Sequence, residues 1–197
     1  MRGDLVYVAF GDSITDGYCV SRGFVSFLAE DLREAASGRS WRVVIRGMSG
    51  ETSQDGLYRL ERDVIAHDPC LVTINFGVND AFSGISVSRF GENLSLMINR
   101  ILDGGCSRIV LLSSEVIPEP WAEQQVLPYW EAMRQEAEDG GVCYADVNGW
   151  WRKELEGGRS EQDLIIQGDL HPNEEGHRLI AEAVLDSIKA GGLLKGL

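Results

Sequence analysis

The stretch "VAFGDSITDG", residues 8–17, runs from an apolar segment straight into Gly11, Asp12 and Ser13. Residues 5–10 lack polar alternation, which suits a strand covered on both faces. A chain that leaves such a strand through Gly-Asp-Ser delivers a serine to the strand's carboxyl end, where open parallel sheets keep their ligand sites. Taken singly, the serine has an ordinary use, because Ser13, Thr15 or Asp16 can each cap a following helix. Its reading as a nucleophile depends on a histidine and on oxyanion donors elsewhere in the chain.

Four further apolar runs resemble the first: residues 43–46 (entered from Trp41), 71–76, 108–113 and 142–146. All five are expected to be buried parallel strands. Between and after them, apolar residues recur at helical spacing: Phe24, Leu28 and Leu32; Leu57, Leu60 and Val64; Phe90, Leu94 and Ile98; Trp130, Met133 and Ala137; Leu179, Ala183 and Val184. The alternation predicts a parallel sheet with helices on both faces, in one domain spanning residues 1–197. Residues 148–168 are the least patterned. There Trp150 and Trp151 open a short helix at most, and "EGGRSEQD" reads as a loop.

The chain carries 18 basic and 31 acidic residues, a formal charge of −13. That balance repels nucleic-acid phosphates and anionic membranes, so neither is expected as a partner. Cys19, Cys70, Cys106 and Cys143 follow no zinc spacing and read as reduced thiols in a reducing compartment. No apolar run reaches membrane-spanning length, and the start of the chain does not read as a secretory signal, so a cytoplasmic location is expected.

Four segments fall at strand ends or before the last helix: Ser13 after the first strand, "GMSGETS" (47–53) after the second, "FGVND" (76–80) at the third, and "GDLHPNEEGH" (168–177) before the final helix. In a parallel sheet they share one edge. A serine hydroxyl needs a base within hydrogen-bond reach, and the base needs an orienting partner. Of three histidines, His67 suits a cap or a solvent-facing position, His177 a surface or structural one, and His171 the base. The Ser13 N–H, Gly50 N–H and Asn79 amide are candidate oxyanion donors. Gly50 and Asn79 also have plain readings, as a positive-φ turn and an Asx cap.

"GDSITDG", "SGETS", "GVND" and "HPN", in that order, resemble the four signature blocks of the GDSL or SGNH hydrolases. The resemblance implies a three-layer α/β/α sandwich, flavodoxin-like, with five parallel strands in the order 2-1-3-4-5. It implies an esterase, lipase or thioesterase that needs no metal and no cofactor, with Ser13 as nucleophile, His171 as base, and Gly50 and Asn79 with the Ser13 N–H as the oxyanion hole. The family's acid stands three residues before the histidine, where this chain has Gly168. Asp169, two before, is the favoured acid. A backbone carbonyl near Gly168, giving a Ser–His dyad, and the more distant Asp163 are the alternatives. Small-acyl esters, acetyl above all, are the expected substrates, chosen by the loops "AFSGIS", "SEVIPEPWAEQQVLPYW" and "NGWWRKELEGGRSEQD". Lysophospholipase or thioesterase activity, a non-catalytic acyl-sugar binding module and a flavin or phosphate binder are the rival readings. A homodimer is compatible with the sequence but not required by it.

Overall fold

The computed structural model describes residues 5–35 and 39–196. Five parallel strands form one sheet: β1 (Leu5–Gly11), β2 (Trp41–Gly47), β3 (Leu71–Asn75), β4 (Ile109–Leu112) and β5 (Cys143–Ala145), in the order β2-β1-β3-β4-β5. Among the described residues eight α-helices accompany them: α1 (Ser13–Asp16), α2 (Phe24–Ala35), α3 (Ser53–Asp63), α4 (Val78–Phe82), α5 (Val87–Asp103), α6 (Pro120–Gly140), α7 (Val147–Glu156) and α8 (Glu174–Ala190).

Side-chain alternation divides the core into two layers. On one face of the sheet Leu5, Tyr7, Ala9, Val110 and Leu112 pack with Phe24, Leu28, Trp151, Ile180 and Val184 from α2, α7 and α8. On the other, Val8, Phe10, Val72, Ile74 and Leu111 pack with Leu60, Leu94, Ile98 and Met133 from α3, α5 and α6. The three-layer sandwich and its strand order are those the family resemblance implies.

Uniform strand burial does not hold at the edges. β3 and β4 are buried throughout and β1 almost so, but Ile45 of β2 is 42% exposed and Cys143 and Tyr144 of β5 are half-buried. An edge strand has a neighbour on one side only, and its apolar side chains need not all be covered.

Two expected loops are largely helical. The segment after β4 enters α6 at Pro120, far ahead of Trp130, and Pro128 lies inside that helix. Proline suits the first turn of a helix and is costly in its middle, so the two prolines hide the true start. The segment after β5 forms α7, whose Trp151 is fully buried in the core with Trp150 packed beside it. Trp151 is a core residue and offers no substrate surface, while Trp150 is half-buried against the same core. "EGGRSEQD" holds a single 3₁₀ turn, Glu161–Asp163.

Candidate active site

β1 ends at Gly11, and Asp12 caps α1 by accepting the Ile14 N–H at 3.1 Å. The cap is thus Asp12, not Ser13, Thr15 or Asp16. Ser13 becomes the first residue of a four-residue helix, and its N–H lies among those the helix itself leaves unused. Its Oγ lies 2.9 Å from Nε2 of His171, a residue 158 positions later. Nδ1 of His171 lies 2.6 Å from Oδ1 of Asp169.

Asp169 thus meets the Nδ1 side of the ring despite its shifted spacing. It does not reach the ring from an extended loop. Gly168, at φ 80°, and an Asp169 N–H to Ile166 carbonyl bond make a turn. Within it Oδ1 also accepts the N–H groups of Leu170 (2.6 Å) and His171 (3.0 Å). The imidazole contact, followed by these amides, holds the carboxyl below its ordinary range. Asp163 is occupied elsewhere, closing its own capping box with Ser160.

The remaining histidines lie outside this arrangement. His177 is buried, accepts the Phe24 N–H on Nδ1 at 3.2 Å and stacks on the Phe24 ring. Burial pushes its pKa down to about 4. His67 closes a 3₁₀ turn and faces Arg46.

Asn79 lies in the first turn of α4, which Gly77 opens at φ 130°. Its Nδ2 donates to the Glu51 carbonyl at 2.9 Å and to Oδ2 of Asp12 at 3.3 Å. Both amide hydrogens are therefore spoken for, and donation to an oxyanion requires release of one, the longer Asp12 bond first. Gly50 adopts φ 81° in the turn after β2, in open space, so its conformation rather than crowding calls for glycine. That turn is tied to the site through the Met48 N–H to the Gly11 carbonyl and through Glu51 to Asn79. Beneath it the buried Arg59 guanidinium joins the carbonyls of Gly11 and Arg46 to Glu51 and Asp63.

A cavity of about 190 Å³ opens on Ser13, Asn79 and His171. Ile14, Val78, Phe82, Ile117 and Leu170 form its apolar wall, and Asp12 and Glu115 add two buried acids. Gly50 does not line it. A second cleft, about 580 Å³, lies on the Asp169 side between Pro118 and the 161–169 segment, with Glu161 and Asp163 in its wall. Among the described residues neither space is lined by a lysine or arginine. Burial raises Asp12 to about 7 and Glu115 to about 8. Sequence reasoning passed over both acids. Asp12 was legible as the residue just before a helix, whereas an acid after a strand reads as solvated and nothing singles out Glu115. Among the described residues, all four cysteines are free thiols and no cluster of metal-ligating side chains occurs.

Comparison with known proteins bears on family and fold. An arylesterase of Vibrio mimicus is 27% identical over 183 residues, 92% of this chain and 86% of the relative. Esterase TesA of Pseudomonas aeruginosa is 34% identical over 110 residues, 55% of this chain and 53% of that protein. The acetylxylan esterase Axe2 of Geobacillus stearothermophilus superposes with a TM-score of 0.81 at 23% identity, covering 95% of this chain and 96% of that one. LAE5, an alpha/beta hydrolase enzyme from the metagenome of Lake Arreo, gives 0.81 at 25%, covering 100% and 99%. The GDSL-like lipase/acylhydrolase family matches residues 9–179 of the 197, and the chain accordingly belongs to that family and is a carboxylic ester hydrolase.

Proposed function

We propose that the chain hydrolyses short-acyl esters of uncharged alcohols through an acyl-serine intermediate. The observation that carries this reading is the relay from Ser13 Oγ to His171 Nε2 at 2.9 Å and from His171 Nδ1 to Asp169 Oδ1 at 2.6 Å. In the first step His171 takes the Ser13 proton as Oγ attacks the acyl carbon. Asp169 holds the ring in the tautomer with Nδ1 protonated, leaving Nε2 free to accept. The tetrahedral oxyanion is received by the Ser13 N–H and the Asn79 amide, and the Gly50 N–H, outside the cavity lining, joins them only if the turn after β2 moves inward. His171 then gives its proton to the leaving alcohol. Water repeats the sequence on the acyl-serine and releases the acid.

Two features support the substrate class. A cavity of about 190 Å³ suits an acetyl or butyryl group better than a long chain. A phosphate or carboxylate on the substrate finds no arginine or lysine in either space and meets Asp12, Glu115, Glu161 and Asp163 instead. This counts against the lysophospholipase and acyl-CoA thioesterase readings. The complete relay counts against a module that only binds.

The test compares p-nitrophenyl acetate, butyrate and octanoate with wild type, Ser13→Ala and Asp169→Asn. Wild type is expected to prefer the two shorter esters and Ser13→Ala to sit at background. Equal rates for wild type and Ser13→Ala, together with no labelling of Ser13 by a phosphonate, would leave a binding module as the surviving reading.

A further inference from the structure

Glu115 is a carboxyl group that neither the relay nor the oxyanion hole uses. It is 3% exposed, yet it lines the cavity that holds Ser13, Asn79 and His171. Its charged surroundings give it no cation. Asp12 faces it from the end of β1 and Glu123 from α6. The nearby Arg152 of α7 is committed to Glu123 and to Oδ1 of Asn148. Burial, with Asp12 and Glu123 adding to it, keeps the carboxyl protonated at neutral pH. Ser114 Oγ hydrogen-bonds to Oε2. A protonated carboxyl also carries one O–H donor of its own.

The segment around Glu115 is held by buried polar groups. Asn148 Nδ2 donates to the Glu115 carbonyl at 3.3 Å and to Glu123 Oε1 at 3.1 Å. Glu123 Oε2 accepts the Ile117 N–H at 2.7 Å. The loop between β4 and α6 is thereby fixed with Glu115 in the cavity wall. Burying an acid there costs more than an apolar residue of similar size would, and the fold asks for no such group at that point.

Resting on the esterase reading above, we propose that Glu115 is a specificity-determining residue: its carboxylic acid donates a hydrogen bond to an uncharged ether or hydroxyl oxygen close to the scissile ester, and so selects oxygenated esters over hydrocarbon ones. The oxygen belongs to the acyl group or to the alcohol, and matched substrates separate the two sources. Ethyl methoxyacetate against ethyl butanoate places an oxygen for a methylene on the acyl side. 2-Methoxyethyl acetate against butyl acetate does so on the alcohol side.

The experiment is kcat/KM by pH-stat for these four esters with wild type, Glu115→Gln and Glu115→Leu. Intrinsic reactivity cancels when each variant's oxygen-to-methylene ratio is divided by that of wild type. In one arm the ratio is expected to fall about tenfold in Glu115→Leu, the worth of one net hydrogen bond, and to be largely kept by Glu115→Gln, whose amide still donates. The wild-type ratio should also decline as pH passes about 8, while that of Glu115→Gln stays level. The affected arm identifies the source of the oxygen. Ratios within twofold across the three proteins in both arms would overturn the assignment, as would a wild-type ratio that does not change with pH should Glu115→Leu fail to fold. Hydrolysis of p-nitrophenyl acetate by wild type but not by Ser13→Ala is the control. If that control fails, the esterase reading falls and this one with it; if it holds while the ratios stay flat, only Glu115 loses its role.

Discussion

Oδ1 of Asp169 accepts three N–H groups at once, two from the backbone and one from the imidazole it orients. An acid two residues before the histidine thereby reaches the ring. The extended loop expected from the sequence would turn alternate residues to the same side, whereas the segment turns at Gly168 and the carboxylate folds back onto its own backbone. Asp169→Asn should lower kcat by roughly 10²- to 10⁴-fold, because an amide cannot hold the same tautomer, while KM moves little. Asn79→Ala should lower kcat by about 10²-fold or more for want of one oxyanion donor. Steady-state kinetics on p-nitrophenyl acetate checks both. The pairing of Ser13 with His171 was legible because the chain has only three histidines and the loops holding the two residues had to share an edge. The burial of Asp12 and Glu115 was not, because burial of a carboxyl belongs to the folded chain rather than to its spelling.

At the scale of elements, apolar runs marked all five strands to within a residue or so, since a strand buried on both faces has little freedom in composition. Short helices escaped. α4 spans five residues, too few for a helical repeat to show, and its sequence was read as the end of β3. The segment that forms α7 shows little pattern, yet its Trp151 fills the core. Contact between elements is also where the site is vulnerable. A Cβ on Gly47, the last residue of β2, would stand 2.1 Å from the Asp16 nitrogen and 2.7 Å from the Asp12 carbonyl. Backbone cannot swing aside as a side chain can, so α1 would be pushed off the sheet with Ser13 on it. Gly47→Ala should cost about 1–3 kcal/mol in urea unfolding and should reduce kcat as well. Gly50→Ala faces strain at φ 81° without crowding, so its stability loss should be smaller than that of Gly47→Ala.

For the whole molecule, proton linkage gives a signature of its buried acid. Glu115 has its pKa raised from 4.5 to about 8 in the folded chain. A raised value means that the folded state holds a proton the unfolded state has released, so the contribution is full below pH 4.5 and is lost as pH rises to about 8. The melting temperature of Glu115→Gln relative to wild type should therefore climb across that window and run level on either side. Thermal melts at a series of pH values would show it. Net charge acts at the same scale. Anionic esters should react more slowly than matched neutral ones at low ionic strength, and added salt should narrow the gap, because the field that repels them is screened. The overall charge is plain in the sequence, but the absence of any lysine or arginine beside the reacting atoms is a property of the assembled edge. That edge also sets an order in time. Ser13 stands just beyond the first strand and His171 lies 158 residues later. On the proposed mechanism the serine emerges early during synthesis but waits for His171 to be made and for the sheet to close. A fragment ending before Asp169 should accordingly leave a serine-directed phosphonate unreacted.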